Sequence, residues 1–196
     1  MQRTSGVSRS ESAMTAALAA DLDGAFEALV VRYQDRLFGC ALHLLGDAGA
    51  AEEAAQDALV RAYRALARYA PERVRDLALR PWLYRILLNV VRNRVRGKRL
   101  VFTPLLRPDG TPLELADQPS GRPEEIVERA DAASSLAAAV AALPDRLRTP
   151  LMLRHIDGLP YAEIAAILRQ PVGTVKVYVH RGVSRLREVL GPMEAS

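Results

Sequence analysis

The stretch from Leu159 to Arg187, which reads LPYAEIAAILRQPVGTVKVYVHRGVSRLR, predicts two helices joined by a tight turn. Its first part repeats apolar residues at helical spacing over about Tyr161 to Leu168. Pro171 marks the start of the second helix, because proline lacks only an N–H that the first helical turn leaves unpaired. The stretch Arg169 to Arg187 carries five bases and no acid. A short helix, a tight joint and a basic second helix are typical of a helix-turn-helix, which places its second helix in the major groove of DNA.

Two stripes run along the second helix at intervals of four, four and three residues. An apolar stripe, which predicts the buried face, consists of Val175, Val179, Val183 and Leu186. A polar stripe, which predicts the face toward DNA, consists of Lys176, His180, Ser184 and Arg187. An ordinary helical hairpin with a solvated basic face is the alternative. The absence of acids counts against it, because a merely soluble face usually mixes both signs of charge.

The composition predicts an all-helical protein of one domain or two small ones. The 196 residues are 49% hydrophobic, enough for a core, and β-branched alternation is nearly absent. The single cysteine, Cys40, excludes an internal disulfide and suits a reducing cytoplasm. No apolar run reaches the roughly 18 residues of a membrane span, and the N-terminus has no signal-peptide core. The net charge of +4 is uneven, since Arg61 to Arg99 holds twelve bases against two acids, which suits a polyanionic partner.

The chain order suggests two helical domains joined by a proline-rich linker, the second domain being the helix-turn-helix. We expect a loose N-terminus over 1–20, a first domain over 21–98, a linker over 99–125, a second domain over 126–190 and a tail over 191–196. Five of the 12 prolines fall in the linker, where helical periodicity lapses. In the second domain, Pro150 should kink its helix or delay its start, and Gly158 should close that helix in a left-handed conformation.

The first domain shows helical spacing over 21–45, 50–69 and 82–96, with a loop or a loop with one helical turn over 70–81. The 50–69 segment has acids in its first half and bases in its second. This arrangement complements the helix dipole, and a binding role is the alternative interpretation. In the 82–96 segment, a buried stripe is predicted at Leu83, Ile86, Leu87 and Val90. Beside it runs a stripe without acids, which predicts a second nucleic-acid face over a merely exposed basic one: Arg85, Asn89, Arg92 and Arg96, with Asn93 adjacent.

In this order, the segments resemble the extracytoplasmic-function (ECF) group of the sigma-70 family of bacterial RNA polymerase sigma factors. The resemblance spans about Asp21 to Leu190 and rests on three groups of phrases. They are Tyr33-Gln-Asp-Arg-Leu-Phe, Leu44-Leu-Gly-Asp47 and Glu52-Glu-Ala-Ala-Gln-Asp57; Arg80-Pro-Trp-Leu-Tyr-Arg-Ile86 with Asn89; and Leu143-Pro-Asp-Arg-Leu-Arg148, Tyr161-Ala-Glu-Ile-Ala165 and Pro171-Val-Gly-Thr-Val-Lys176.

The resemblance implies a protein that binds core RNA polymerase, directs it to −10 and −35 promoter elements and helps to melt the DNA. It implies core-polymerase docking by Glu52, Glu53, Gln56 and Asp57. It implies contacts to the −10 element by Tyr69, Arg80, Trp82, Arg85, Asn89, Arg92, Asn93 and Arg96, with a pocket for a flipped base between Tyr69 and Leu79. It implies contacts to the −35 element by Arg169, Thr174, Lys176, Val177, His180, Arg181, Ser184 and Arg185. An anti-sigma factor is a further implied partner.

Some residues depart from the family pattern. Arg169 stands where glycine is usual in the joint, so we expect the joint to be built in another way. Val177 stands where serine is frequent, which suggests contact with a thymine methyl group. Trp82 matches a family tryptophan, and both a core position and stacking on DNA remain open for it.

Two other classes of protein fit the sequence less well. A LuxR-like regulator would share the Ile164 to Lys176 pattern and act without polymerase, but it has no need of the acidic helix or the 82–96 helix. An enzyme such as a nuclease would need carboxylates or histidines gathered in a pocket, and the acids here are spaced along helix faces or in the linker. The three histidines (His43, His155 and His180) are scattered, so we expect no metal site, no cofactor and no catalytic residue.

Overall fold

A computed structural model of the chain describes residues 3–97 and 135–191, except for the side chains of 3–9 and 96–97. Every regular element in these ranges is a helix, which confirms the all-α expectation. The helices are α1 (Arg3–Ala20), α2 (Leu22–Leu45), α3 (Ala48–Leu66), α4 (Pro71–Arg75), α5 (Leu79–Gly97), α6 (135–141), α7 (Asp145–His155), α8 (Tyr161–Leu168) and α9 (Val172–Leu190). The predicted linker over 99–125, the start of the helix predicted from 126 and most of the tail lie outside the described residues.

The chain divides into two compact units. Of the described residues, the first unit holds 3–41 and 49–97, and the second holds 42–48 and 135–191. No described helix is long and apolar enough to cross a membrane.

The N-terminal segment is a helix, so the expectation of a loose stretch over 1–20 is wrong for the described part. Helix α1 is fixed by polar contacts as well as by burial of Leu18. The buried Thr15 hydroxyl lies 3.1 Å from the carbonyl oxygen of Arg75, at the end of α4. The hydroxyl of Tyr33, on α2, donates to a carboxylate oxygen of Glu11 at 3.1 Å. These contacts join residues distant in sequence, and α1 has no apolar stripe from which the helix could have been predicted.

Helix α2 begins and ends on side-chain and backbone signals that can be read locally. Asp21 caps it, since its Oδ1 accepts the N–H of Gly24 at 3.1 Å. A Cβ at Gly24 would lie 2.4 Å from the other Asp21 oxygen, so the cap favours glycine there. At the other end, Gly46 adopts a φ of 70°, which stops the helix where Gly46-Asp47 predicted it.

Close packing in the first unit depends on α3 and α5. Helix α3 buries a ridge of small side chains, namely Ala51, Ala54, Ala55, Ala58 and Ala62. Helix α5 buries Leu83, Leu87 and Val90 of its predicted stripe, and Ile86 is half-buried. It begins at Leu79, earlier than predicted, because Pro81 falls in the first helical turn, where a missing N–H costs nothing. The single helical turn expected between α3 and α5 is α4.

In the second unit, α7, α8 and α9 close around Leu153, Leu159, Ile164 and Val175, all of which are at most 1% exposed. Helix α7 begins at Asp145 and continues through Pro150, so the start is not delayed. Gly158 has a φ of 64°, which confirms the predicted left-handed closure. Gly182 is buried, and a Cβ there would lie 2.9 Å from a methyl carbon of Leu151, so α9 approaches α7 closely at this point.

We expect alkaline pH to lower the stability of the first unit, because Tyr33 is buried there as a neutral phenol. Burial, and then the nearby carboxylate of Glu11, raise the pKa of Tyr33 from 10.0 to about 12. The neutral phenol is therefore favoured by folding, and its contribution is complete below pH 10 and is lost as the pH rises toward 12. We expect the free energy of unfolding, measured in urea, to fall more steeply over this interval for the wild type than for Tyr33→Phe. Tyr178→Phe, in the second unit, is the control and should follow the wild type. Equal slopes for the wild type and Tyr33→Phe would contradict the assignment.

Candidate functional site

The joint between α8 and α9 is a left-handed turn at Arg169. This residue has φ 53° and ψ 46°, and it is the one non-glycine residue with positive φ in the described chain. The N–H of Gln170 donates to the carbonyl of Ala165 at 3.1 Å, the bond that closes a Schellman motif. The expectation that the joint is built in another way is therefore wrong. Arginine adopts the conformation that glycine would supply, because three residues, Arg169 to Pro171, must turn the chain between the helices.

Replacing Arg169 with glycine should stabilise the second unit. A Cβ in the left-handed region costs about 1–2 kcal/mol, and part of that gain is offset by the greater freedom of glycine in the unfolded chain. We expect Arg169→Gly to raise the free energy of unfolding by about 0.5–1 kcal/mol relative to Arg169→Ala. Arg169→Ala is the matched comparison, because it also removes the guanidinium but keeps the Cβ. Chemical denaturation of the two variants measures the difference, and an alanine variant at least as stable as the glycine variant would contradict a strained joint.

The face of α9 predicted to meet DNA is open to solvent. Its buried side consists of Val175, Val179 and Gly182, and Val183 and Leu186 are only half-buried. The residues predicted to contact the −35 element are exposed at Arg169, Lys176, Val177, His180, Arg181 and Arg185 and half-exposed at Thr174 and Ser184. The structure thus brings seven of the eight onto accessible sides of one helix, with Arg169 in the joint before it. Their contact with DNA stays a prediction.

Lys176 is held by an aromatic ring that the sequence pattern did not single out. Its ammonium lies 5.8 Å from the ring centroid of Tyr161, and the guanidinium of Arg154 lies 4.9 Å from the same centroid. Arg154 also donates to the carbonyl of Leu159 at 3.1 Å. Tyr161 therefore joins side chains from α7 and α9 at the first residue of α8. Such cation–π contacts restrict where Lys176 can point.

Helix α5 presents a narrow polar strip. Asn89, Arg92 and Asn93 are exposed, Arg85 is half-exposed, and the side chain of Arg96 lies outside the described residues. These side chains are thus accessible to a partner, and their contact with the −10 element stays a prediction.

Trp82 lies in the core. It is 5% exposed, and its ring centroid is 6.1 Å from that of Tyr69, at an angle of 59°. The guanidinium of Arg73 lies 3.8 Å from the Tyr69 centroid. Of the two interpretations left open for Trp82, the structure favours the core. Tyr69 and Arg80 are half-exposed, so of the predicted −10 residues near the loop, these two are the more accessible.

The four residues predicted to dock on core polymerase form one exposed patch on α3, the acidic face (Glu52, Glu53, Gln56 and Asp57). Gln56 donates to a carboxylate oxygen of Glu52 at 3.3 Å. Val60, which is 47% exposed, follows one turn later on the same side of the helix.

An arginine from α5 reaches this acidic face. Arg94 donates from one terminal nitrogen to Glu53 at 2.7 Å and from the other to Asp57 at 3.0 Å. These bonds, to Glu53 first and then to Asp57, raise the pKa of Arg94. Arg94 could not be singled out from the sequence, because its partners lie about forty residues away and no local pattern connects them.

The chain has close relatives among characterised bacterial sigma factors. It matches the family described as Sigma-70 region 2 over residues 29–101 and Sigma-70, region 4, over residues 133–186. It is 34% identical to the RNA polymerase sigma-H factor of Pseudomonas aeruginosa over 175 residues, covering 86% of this chain and 88% of the relative. It is also 34% identical to the ECF RNA polymerase sigma factor SigW of Bacillus subtilis over 170 residues, covering 85% of this chain and 89% of SigW.

Solved structures show the same fold. The structure of CnrH in complex with the cytosolic domain of CnrY aligns with a TM-score of 0.67 and 23% identity, covering 94% of this chain and 99% of CnrH. The sigma factor RpoE of Bartonella quintana, in complex with the anti-sigma factor NepR, aligns with a TM-score of 0.58 and 24% identity, covering 86% and 98%. Nothing in these similarities favours the LuxR-like alternative, since the region 2 match covers the half that such a regulator does not need. The chain belongs to the ECF group of the sigma-70 family.

Proposed function

We propose that this protein is the promoter-recognition subunit of a bacterial RNA polymerase, with docking, −10 and −35 functions on three separate faces. The observation that carries the proposal is the pairing, within one unit, of an exposed acidic face on α3 with an acid-free polar strip on α5. A DNA-binding regulator needs only the second kind of face. A protein that must bind a basic or polar protein surface and DNA at the same time needs both kinds of face.

The acidic face is the docking surface for core polymerase in this proposal. Its three carboxylates remain accessible, because Glu53 and Asp57 keep 71% and 50% of their side-chain surface exposed despite the ion pairs with Arg94. Exposed carboxylates contribute steering and specificity to an interface more than raw affinity. Val60 adds an apolar contact beside them, which supplies area that can be desolvated on docking.

The strip on α5 faces the −10 element. Its amides and guanidinium groups can contact phosphates and bases without repulsion from acids on the same strip. Melting needs no catalytic group, and we assign none to this chain. It needs a site that binds an unstacked base, so that capture offsets unstacking costs of a few kcal/mol. Tyr69 supplies a half-exposed ring at the edge of the proposed pocket over 69–79, and base stacking on such a ring is worth about 1–3 kcal/mol.

The exposed side of α9 contacts the −35 element. Lys176, Arg181 and Arg185 anchor phosphates, which supplies most of the affinity and makes it depend on salt. Val177 is 45% exposed on this side of α9, and a thymine methyl group in the major groove would give it an apolar contact.

Partners and location follow from this function. Because its proposed partners, core RNA polymerase and promoter DNA, are in the bacterial cytoplasm, we assign the protein to the cytoplasm. An anti-sigma factor is a further proposed partner, because the similar RpoE structure is a complex with the anti-sigma factor NepR.

Charge reversal on the acidic face should weaken docking. We expect Glu53→Lys combined with Asp57→Lys to reduce affinity for core polymerase at least about tenfold, because two attractive contacts become repulsive. The melting temperature should change little, since exposed ion pairs contribute about 0–1 kcal/mol each. Glu27→Lys with Asp35→Lys on α2 is the control with the same change of net charge at two exposed acids. Binding measured by competition with a labelled sigma factor checks this, and an equal effect of both pairs would contradict the docking assignment.

Neutralising bases on α9 should weaken promoter binding by the reconstituted holoenzyme. We expect Lys176→Ala and Arg181→Ala each to lower affinity at every salt concentration and to reduce the slope of log affinity against log salt by about 0.9. Arg146→Ala, at an exposed base on α7 of the same unit, is the control and should leave the slope unchanged. If Lys176→Ala and Arg181→Ala both leave promoter binding unaltered, the reading face has been misassigned.

A further inference from the structure

Arg94 occupies two carboxylates of the proposed docking face. Glu53 and Asp57 are one helical turn apart on α3, so their carboxylates project side by side. Each accepts a hydrogen bond from a different terminal nitrogen of the one guanidinium, at 2.7 and 3.0 Å. The planar fork of arginine suits this geometry, whereas a lysine ammonium is a single point charge.

The arrangement is accessible enough to be exchanged. Arg94 keeps 30% of its side-chain surface exposed, and both carboxylates keep at least half of theirs. Ion pairs of this exposure contribute little to folding and are weakened by salt. A protein partner that presents bases to Glu53 and Asp57 meets carboxylates already partly neutralised, and it must compete with Arg94 for them.

Arg94 also belongs to the helix that carries the proposed −10 strip. It follows Asn93 directly, and Arg92 and Asn93 are exposed. A guanidinium on a long, flexible side chain that loses its carboxylate partners can turn toward the neighbouring strip. There it would add a cation to the DNA-facing side of α5.

We propose that Arg94 is an internal counter-ion of the docking face, displaced when core polymerase binds and thereby released to contact promoter DNA. In the free protein, Arg94 weakens docking and is itself withheld from DNA. In the docked state, bases of the polymerase replace it on Glu53 and Asp57, and its charge becomes available to a phosphate. This role rests on the proposed function of α3 and α5, and it couples the two faces through one side chain.

The first test measures affinity for core polymerase in the absence of DNA. We expect Arg94→Gln to bind core about threefold to tenfold more tightly than the wild type at low salt, because the competing cation is gone. Arg94→Lys should fall between the two, since it keeps the charge but not the fork. Arg36→Gln removes the same charge from an exposed position on α2 of the same unit without removing either ion pair, and it should match the wild type.

The second test measures binding of the isolated protein to a short single-stranded oligonucleotide of mixed sequence at low salt. Glu53→Gln should raise the affinity about threefold more than Glu52→Gln, and should steepen the salt dependence by roughly 0.7, the value for one additional phosphate contact on a single strand. The two variants remove the same charge from adjacent exposed residues, but only Glu53 is bonded to Arg94. This difference in oligonucleotide affinity between the two variants should vanish when Arg94→Gln is added to both.

The outcomes distinguish the proposed role of Arg94 from the proposed function on which it rests. If the wild type does not bind core polymerase, the proposed function fails. If the wild type, Arg94→Gln and Arg36→Gln bind core equally, the counter-ion role is overturned while the docking function stands. Equal behaviour of Glu53→Gln and Glu52→Gln toward the oligonucleotide, including no binding by either, overturns the release of Arg94 to DNA. The release of Arg94 to DNA is also overturned if Glu53→Gln still binds the oligonucleotide more tightly than Glu52→Gln when both variants carry Arg94→Gln. Melting temperatures of all variants show that each is folded.

Discussion

The burial of α5 is the constraint on which the first unit depends. Eight of its side chains are buried, and only Asn89, Arg92 and Asn93 are fully exposed among those described. A helix enclosed on most sides leaves a strip about one residue wide for polar contacts. The strip is therefore fixed in position by the core, which is what a surface that must meet a defined DNA element requires. The same enclosure places Trp82 inside and brings Arg94, at the edge of the strip, against α3.

The second unit depends on a local constraint, the reversal of the chain between α8 and α9. Three residues, Arg169 to Pro171, make the turn, and Arg169 adopts a left-handed backbone to do so. The turn fixes the angle at which α9 leaves, and the buried contacts of Val175 and Val179 with the rest of the unit hold that angle. Tyr161 adds a further restraint by holding Lys176 close to the start of α8. A base at an unfavourable backbone position persists because the surrounding packing determines the turn more strongly than the residue does.

The sequence predicted the parts of the structure that are local. Helical spacing and the proline at 171 placed α8 and the start of α9 within a residue, and Gly158 was correctly expected to be left-handed. Helix α1 was missed because it carries no apolar stripe, and its anchors (Thr15 to Arg75, Glu11 to Tyr33) join residues distant in sequence. The pairing of Arg94 with Glu53 and Asp57 was missed for the same reason. Helical periodicity predicted which site residues are exposed. The residues that they contact are determined by tertiary packing, which no local pattern shows.

In this protein, the buried cores and the candidate binding faces consist of different residues, and this separation has a physical origin. The cores are built mainly from leucine, alanine and valine, whose burial is driven by the hydrophobic effect and is not screened by salt. The candidate faces consist mainly of exposed charges and amides, whose pairwise contributions are small and are screened at physiological ionic strength. Such faces gain strength only when several contacts form together on a polyanion or on a complementary protein surface. A side chain shared between two of them, as Arg94 is, can therefore change partner at little cost to the fold, and the exchange itself becomes a means of linking one binding event to the other.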